Sequence, residues 1–247
     1  RCRGVPGMYE DGLLLCSSPQ SLCVSLPKID PPQRNNQMPL IKTVWLGIDS
    51  AVALWRIEEP EEQLAFFALE SCPEDIIHPP KRLEWLAARA LIAQLVQDIG
   101  LEYTGLRKDE FGKPFLKGLP HQVALTHSFP YVAVQIDPHQ SVGIDLEQPK
   151  EKLRTIAPRM FSQVETEDAA NNLTKLCIYW CAKEALYKLY GQRSLLFSEH
   201  LKVEPFLMGN QGNLAGSIQQ GKASQQVNLK YEVTPDFVWV YTNTKRA

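Results

Sequence analysis

The sequence predicts an α+β fold of two similar halves with a cleft between them. Three observations carry this reading. Period-two apolar patterns mark several short strands, and two long stretches carry apolar residues at helical spacing. The chain also shows a faint internal repeat. Gly47-Ile48-Asp49 recurs as Gly143-Ile144-Asp145 at an offset of 96. Trp85-Leu86-Ala87-Ala88-Arg89-Ala90-Leu91 aligns with Trp180-Cys181-Ala182-Lys183-Glu184-Ala185-Leu186 at an offset of 95, with four identities. Two matches at nearly one offset point to a strand followed by a helix, used twice. Pseudo-two-fold packing of such units leaves a cleft, a preferred place for a small ligand.

The elements follow in order. Residues 1–37 hold half of the cysteines, several prolines and the polar run Gln33-Arg34-Asn35-Asn36-Gln37, and read as an N-terminal extension upstream of a start at Met38. Val44, Leu46 and Ile48 alternate with polar or small residues as a strand, and Ala51–Ile57 continues as a second. Lys81–Asp98 is a helix whose stripe is Leu83, Leu86, Ala87, Ala90, Leu91 and Leu95, with Gly100 as its stop. Asp109–Pro114 is a turn. Val123–Leu125, Tyr131–Ile136 and Val142–Leu146 read as strands. A long helix, broken early, runs from about Glu165 to Tyr190 and stops at Gly191. Val227–Val233 and Phe237–Tyr241 read as antiparallel hairpin strands. The halves are residues 38–137 and 138–247.

Composition excludes several classes. A chain of 247 residues with 44% hydrophobic and 22% charged residues buries a core without disulfides. A net charge of −2 argues against a nucleic-acid-coating protein, which needs surplus Lys and Arg. No apolar run reaches the roughly 20 residues of a membrane span, because Arg89 interrupts the best candidate at Leu83–Val96. The cysteines are Cys2, Cys16, Cys23, Cys72, Cys177 and Cys181. Cys177 and Cys181 share a helical face without a second ligand pair, so they read as buried free thiols in a reducing cytoplasm.

Asp145 and Glu147 are two apart in a strand pattern, so both carboxylates point to one face. Two acids aimed together repel unless a cation lies between them, and an all-oxygen set suits Mg²⁺. Alone, the pair reads first as two solvated charges at a strand end. Glu184 changes the balance, because it extends the apolar stripe of Leu173, Cys177 and Trp180 by one turn. A carboxylate on such a stripe is costly without a cation. Lys188 follows one further turn along.

These residues resemble a known family. Val142-Gly143-Ile144-Asp145 with Glu147, then Trp180-Cys181-Ala182-Lys183-Glu184-Ala185-Leu186-Tyr187-Lys188, is similar to the two-part signature of the 4′-phosphopantetheinyl transferases. Phe111-Gly112-Lys113-Pro114 resembles the Gly-Lys-Pro turn of the larger members. Thr126-His127-Ser128 resembles their Ser-His-Ser, with Thr in place of the first Ser. The resemblance runs from about Met38 to the C-terminus. The length matches the larger, pseudo-dimeric type typified by the surfactin-synthetase activator. It implies a pseudo-dimer in which each half is a small antiparallel sheet packed with a long helix, with coenzyme A held between the halves.

The resemblance further implies transfer of the phosphopantetheine arm of coenzyme A to a serine of an acyl or peptidyl carrier protein, with release of 3′,5′-ADP. Asp145, Glu147 and Glu184 would hold Mg²⁺ or Mn²⁺, and Glu184 would also serve as general base. Lys188 would reach the phosphates. His127 and Ser128 would contact a phosphate, Lys113 the 3′-phosphate or adenine side, and Lys183 the pantetheine arm, the carrier or simply solvent. A basic residue on the first-half helix would hold the 3′-phosphate, with Arg82 favoured over Arg89. The partners expected are the carrier protein and coenzyme A, without nucleic acid or membrane, for a cytoplasmic monomer. The competing readings are a Mg²⁺-dependent hydrolase of coenzyme A or a related nucleotide, and a non-catalytic coenzyme A-binding protein of the same fold.

Overall fold

Alternating burial along the strands divides the chain's apolar residues among three clusters, and those clusters define the layers. The computed structural model describes residues 40–243, which belong to one compact unit. The expected extension at 1–37 lies outside the described residues. The described residues open with β1 (Leu40–Trp45), β2 (Ala51–Arg56), α1 (Glu61–Ala68) and α2 (Pro79–Asp98). Four strands follow, β3 (Leu106–Lys108), β4 (Pro114–Leu116), β5 (Gln122–Ser128) and β6 (Tyr131–Asp137). Then come β7 (Ile144–Glu147), α3 (Lys152–Met160), α4 (Gln163–Ala169), α5 (Leu173–Tyr190) and α6 (Phe197–His200). The last strands are β8 (Leu201–Val203), β9 (Gln211–Gln220), β10 (Ala223–Val233) and β11 (Val238–Thr242).

Two antiparallel sheets result, with strand orders β1-β2-β6-β5-β4-β3 and β7-β11-β10-β9-β8. The connectivity recurs. In each sheet a strand (β2 or β7) leads into helices, four strands meander back, and the last of them (β6 or β11) pairs with the first. β1 is the addition, lying beyond β2.

Ala51, Ala53 and Trp55 of β2, with Val132, Val134 and Ile136 of β6, pack under α2. Their alternates Val52, Leu54, Tyr131 and Ala133 turn the other way. They meet Ile144 and Leu146 of β7, Trp239 and Tyr241 of β11, and Phe237 just before that strand. Val238 and Val240 pack under α5. Period-two alternation therefore stacks helix, sheet, sheet and helix. Within the apolar layer between the sheets, buried Gln135 donates to the Thr242 carbonyl at 2.7 Å and accepts from the Thr242 hydroxyl at 3.1 Å.

One expectation needs correction, and the early break expected in the long helix gains its position. The strand drawn through Val44–Ile48 ends at Trp45, where Leu46 N donates to Ser50 O and the chain turns. Ile48 is 93% exposed at that turn, whereas Ile144 in β7 is fully buried. The repeated Gly-Ile-Asp therefore does not mark equivalent positions, although the Trp-containing repeats do fall on α2 and α5. The helix expected from Glu165 is two helices. Ala170 and Asn171 adopt positive φ, and Asn172 caps α5 by accepting from Lys175 N. The sequence reading also passed over α1 and the ten-residue β9. Among the described residues, no helix is long and apolar enough to cross a membrane.

One glycine fixes the second helix against its sheet. A Cβ on Gly143 would lie 1.9 Å from the Ala185 carbonyl oxygen of α5. Only a residue without a side chain lets α5 lie that close to the start of β7. Gly143→Ala is therefore expected to push α5 outward and cost on the order of 1–3 kcal/mol. A lowered thermal midpoint measures it.

Candidate active site

β7 is short, and its alternation is unambiguous. Ile144 and Leu146 enter the layer between the sheets, so Asp145 and Glu147 face the opposite way. Above them, α5 presents Trp180, Glu184 and Lys188, spaced four apart on one side. Leu125, Thr126 and His127 of β5 complete a cavity of about 300 Å³ lined by these residues. The structure thus brings Asp145, Glu147, Glu184, Lys188 and His127 together.

Asp145 is buried. Its Oδ1 accepts from the Thr126 hydroxyl at 2.8 Å and from Lys188 Nζ at 2.7 Å, while its Oδ2 is buried without a hydrogen-bond partner. Lys188 Nζ also donates to the Ile144 carbonyl at 3.0 Å. Glu147 accepts from the Ser128 hydroxyl at 3.2 Å. Thr126 thus keeps a hydroxyl contact with the acid strand although it departs from Ser-His-Ser. Burial, followed by the charges of Asp145 and Glu147, pushes the Glu184 carboxyl up to about 7, and Lys188 only partly offsets this.

A second cavity, of about 530 Å³, shares Leu125 and Lys188 with the first. Trp85, Phe111, Pro114 and Tyr187 give it apolar walls, and Arg89, Lys108, Lys113, Lys188 and Arg193 give it cations. Among the described residues no Asp or Glu lines it. Lys113 Nζ donates to the Leu189 carbonyl at the end of α5 at 3.0 Å, and burial lowers its pKa.

Arg82 lies elsewhere. Its Nε donates to Glu61 at 2.8 Å and its Nη1 to the Ile76 carbonyl at 2.9 Å, and it lines neither cavity. Arg89, one face-repeat along α2, is the arginine in the larger cavity. Lys183 also departs from expectation. It is fully buried, pairs with Glu165 at 2.7 Å, and donates to the carbonyls of Phe197 and Leu201. Glu165 in turn accepts from Ser162 N and Val203 N. The pair ties α4, α5 and β8 together, because a buried charge requires such partners.

Sequence reasoning missed Glu84. This residue on α2 is 3% exposed and accepts from Lys81 and from Phe129 N, with His127 Nδ1 at 3.2 Å. Burial works against its charge, yet His127 and Lys81 hold its carboxyl down at about 2. It anchors the imidazole from behind. A Glu three residues after a Lys on a helix looks like an ordinary surface pair, so the sequence carries no sign of this role.

The donor set bears on the expected divalent ion. It is all oxygen, and it includes a buried carboxylate oxygen without a partner beside a carboxyl that resists ionisation. Among the described residues, no three His, Cys, Asp or Glu side chains already converge as a metal-holding group. The residues therefore fit an open site, in which one or two carboxylates bind and ligand or water oxygens complete the shell. They do not form a closed cage.

Residues 141–236 match the family model of the 4′-phosphopantetheinyl transferase superfamily. The matched segment contains Asp145, Glu147, Glu184 and Lys188, while Thr126, His127, Arg89 and Lys113 lie outside it. The family's activity is phosphopantetheinyl transfer, with coenzyme A as co-substrate and carrier proteins as acceptors. No curated protein matches the chain.

Two predictions test the electrostatics. Folded Glu184 keeps its proton to about 7, against an ordinary value of 4.5. Between those values the folded state binds more protons, so stability falls as pH rises, and the loss is complete above about 7. In chelator-treated protein, Glu184→Gln should therefore melt higher than wild type at pH 8, by on the order of 2 kcal/mol. The difference should shrink towards pH 4.5. Lys183→Ala leaves Glu165 buried without its cation and should cost on the order of 3–5 kcal/mol in denaturant unfolding.

Proposed function

We propose that this chain transfers the 4′-phosphopantetheine arm of coenzyme A to a serine hydroxyl of an acyl or peptidyl carrier protein. The observation that carries the reading is the pair of joined cavities. One is acidic and holds the residues of the matched family segment, the other is cationic, and Lys188 stands at their junction. A diphosphate between a nucleotide and a pantetheine arm suits that polarity.

In this reading the nucleotide end lies in the larger cavity, with Arg89 and Lys113 towards its phosphates. The diphosphate lies beside Lys188 and His127. One or two of Asp145, Glu147 and Glu184 would hold Mg²⁺ or Mn²⁺ as an open site, with ligand or water oxygens completing the shell. The ion, when bound, neutralises charge on the diphosphate and on the leaving group. The carrier serine oxygen attacks the β-phosphorus. The bond from that phosphorus to the bridging oxygen breaks, and 3′,5′-ADP leaves. Glu184, with its raised pKa and position in the smaller cavity, takes the serine proton directly or through a water. Lys188 stabilises charge on the departing phosphate. Ser128 acts through Glu147, to which it donates.

The recurring strand order supports the larger, pseudo-dimeric type, with halves at 38–137 and 138–247 and the site in the cleft between them. A chain that contains both halves functions as a monomer, in the cytoplasm, where coenzyme A and reduced thiols are found.

The test is a labelling assay. The chain, coenzyme A, Mg²⁺ and an apo carrier protein are combined, and the carrier mass is followed. A mass increase by one phosphopantetheine arm is expected, abolished by chelator and by Glu184→Gln. Coenzyme A hydrolysis without any gain in carrier mass across several carrier types overturns the reading.

A further inference from the structure

Arg89 is held in an unusual way. It is 8% exposed, and its guanidinium stacks 3.3 Å from the centroid of the Trp85 ring. Nη1 donates to the Trp85 carbonyl at 3.2 Å, but Nε is buried and has no hydrogen-bond partner among the described residues. The acid beside it is Glu70, which follows α1. Its Oε1 lies 3.7 Å from Arg89 Nε, beyond hydrogen-bond reach. The same Oε1 accepts instead from the hydroxyl of Tyr103, a buried residue between α2 and β3. Burial, with Glu70 next to it, raises the Tyr103 pKa, so this hydroxyl stays a donor.

We propose that Tyr103 is a positioning residue for Arg89 that acts through Glu70, the acid that competes with a ligand for the guanidinium. Tyr103 occupies the carboxylate oxygen that would otherwise close onto the guanidinium, and so keeps Arg89 available to a phosphate group in the larger cavity. Two observations support this beyond the contact itself. A buried guanidinium with an unmet N–H is costly, and a ligand anion relieves that cost. The cavity that Arg89 lines carries four more cations and, among the described residues, no acid, so the ligand must supply the anion. The inference rests on the reading of this cavity as the nucleotide site.

The two residues make opposite predictions. Tyr103→Phe frees Glu70 to close from its 3.7 Å ion-pair distance to a hydrogen bond with Arg89, so 3′,5′-ADP should bind about tenfold more weakly. Glu70→Gln removes the competing charge, so 3′,5′-ADP should bind about threefold more tightly. Adenosine, which has no phosphate, should bind both variants as it binds wild type. Isothermal titration of the full chain with 3′,5′-ADP and with adenosine reads all of these, and thermal melting shows that each variant is folded. If one variant is unfolded at the assay temperature, the sign in the other decides. Weaker 3′,5′-ADP binding by Glu70→Gln, or a change of less than twofold in Tyr103→Phe, overturns the positioning role while leaving the cavity reading intact. A wild type that binds 3′,5′-ADP no better than adenosine overturns both.

Discussion

The close approach of α5 to β7 is the constraint on which the candidate site depends. Gly143 presents only a hydrogen to the Ala185 carbonyl, so the helix backbone lies directly over the start of the strand. That contact sets the height of Glu184 and Lys188 above Asp145 and Glu147. Lys188 can reach both Asp145 Oδ1 and the Ile144 carbonyl only because the helix is this low. A side chain at position 143 would have to be absorbed by moving α5. The cavity walls contributed by Trp180 and Tyr187 would move with it.

Once α5 is in place, the site is governed by charge. Three carboxylates face one small cavity with a single lysine among them. Lys188 neutralises part of Asp145, which leaves Oδ2 without a partner and Glu184 reluctant to ionise. The fold does not satisfy this cluster internally, unlike the buried Lys183–Glu165 pair. There every Glu165 contact is a donor from the protein, namely Ser162 N, Val203 N and Lys183 Nζ. The contrast separates the two acids. Glu165 is part of the framework, and Glu184 lacks a sufficient counterion of its own.

The readable part of the sequence was local. Asp145 and Glu147 share a face because strand alternation fixes it. Glu184 and Lys188 share a face because helical spacing fixes that, and a Glu on an apolar stripe is conspicuous. The break before α5 was also visible in the pattern. The sequence reading favoured Arg82 over Arg89, although both fall on one face of α2 and spacing alone gives no ground to choose. Their difference comes from Glu61, which engages Arg82, and from the cavity wall reached by Arg89. Lys183 looked like a site residue because it adjoins Glu184. One helical step rotates it into the core, where Glu165 waits on a different helix. Glu84, Glu70 and Tyr103 carry no pattern at all. Their roles arise from contacts between distant segments, to which periodicity is blind. Ile48 misled for the opposite reason, since an apolar residue in perfect alternation ended up at the tip of a turn.

The two long helices show how one local device can serve opposite chemistry. In α2, Trp85 and Arg89 are four apart and line the larger cavity. In α5, Trp180 and Glu184 are four apart and line the smaller one. Each helix therefore sends an aromatic and a charge from the same face into a space beside its sheet, within a strand order that recurs from one sheet to the other. The charges differ in sign. Arg89 joins Lys108, Lys113 and Arg193 in a cationic space, Glu184 joins Asp145 and Glu147 in an acidic one, and the two meet at Lys188, which lines both. A ligand that spans the two must be anionic along one part and must bring or meet a cation at the other. The difference at one position, arginine in one helix and glutamate in the other, adds to the charges that the surrounding strands and loops already supply, and together they give the paired cavities a direction.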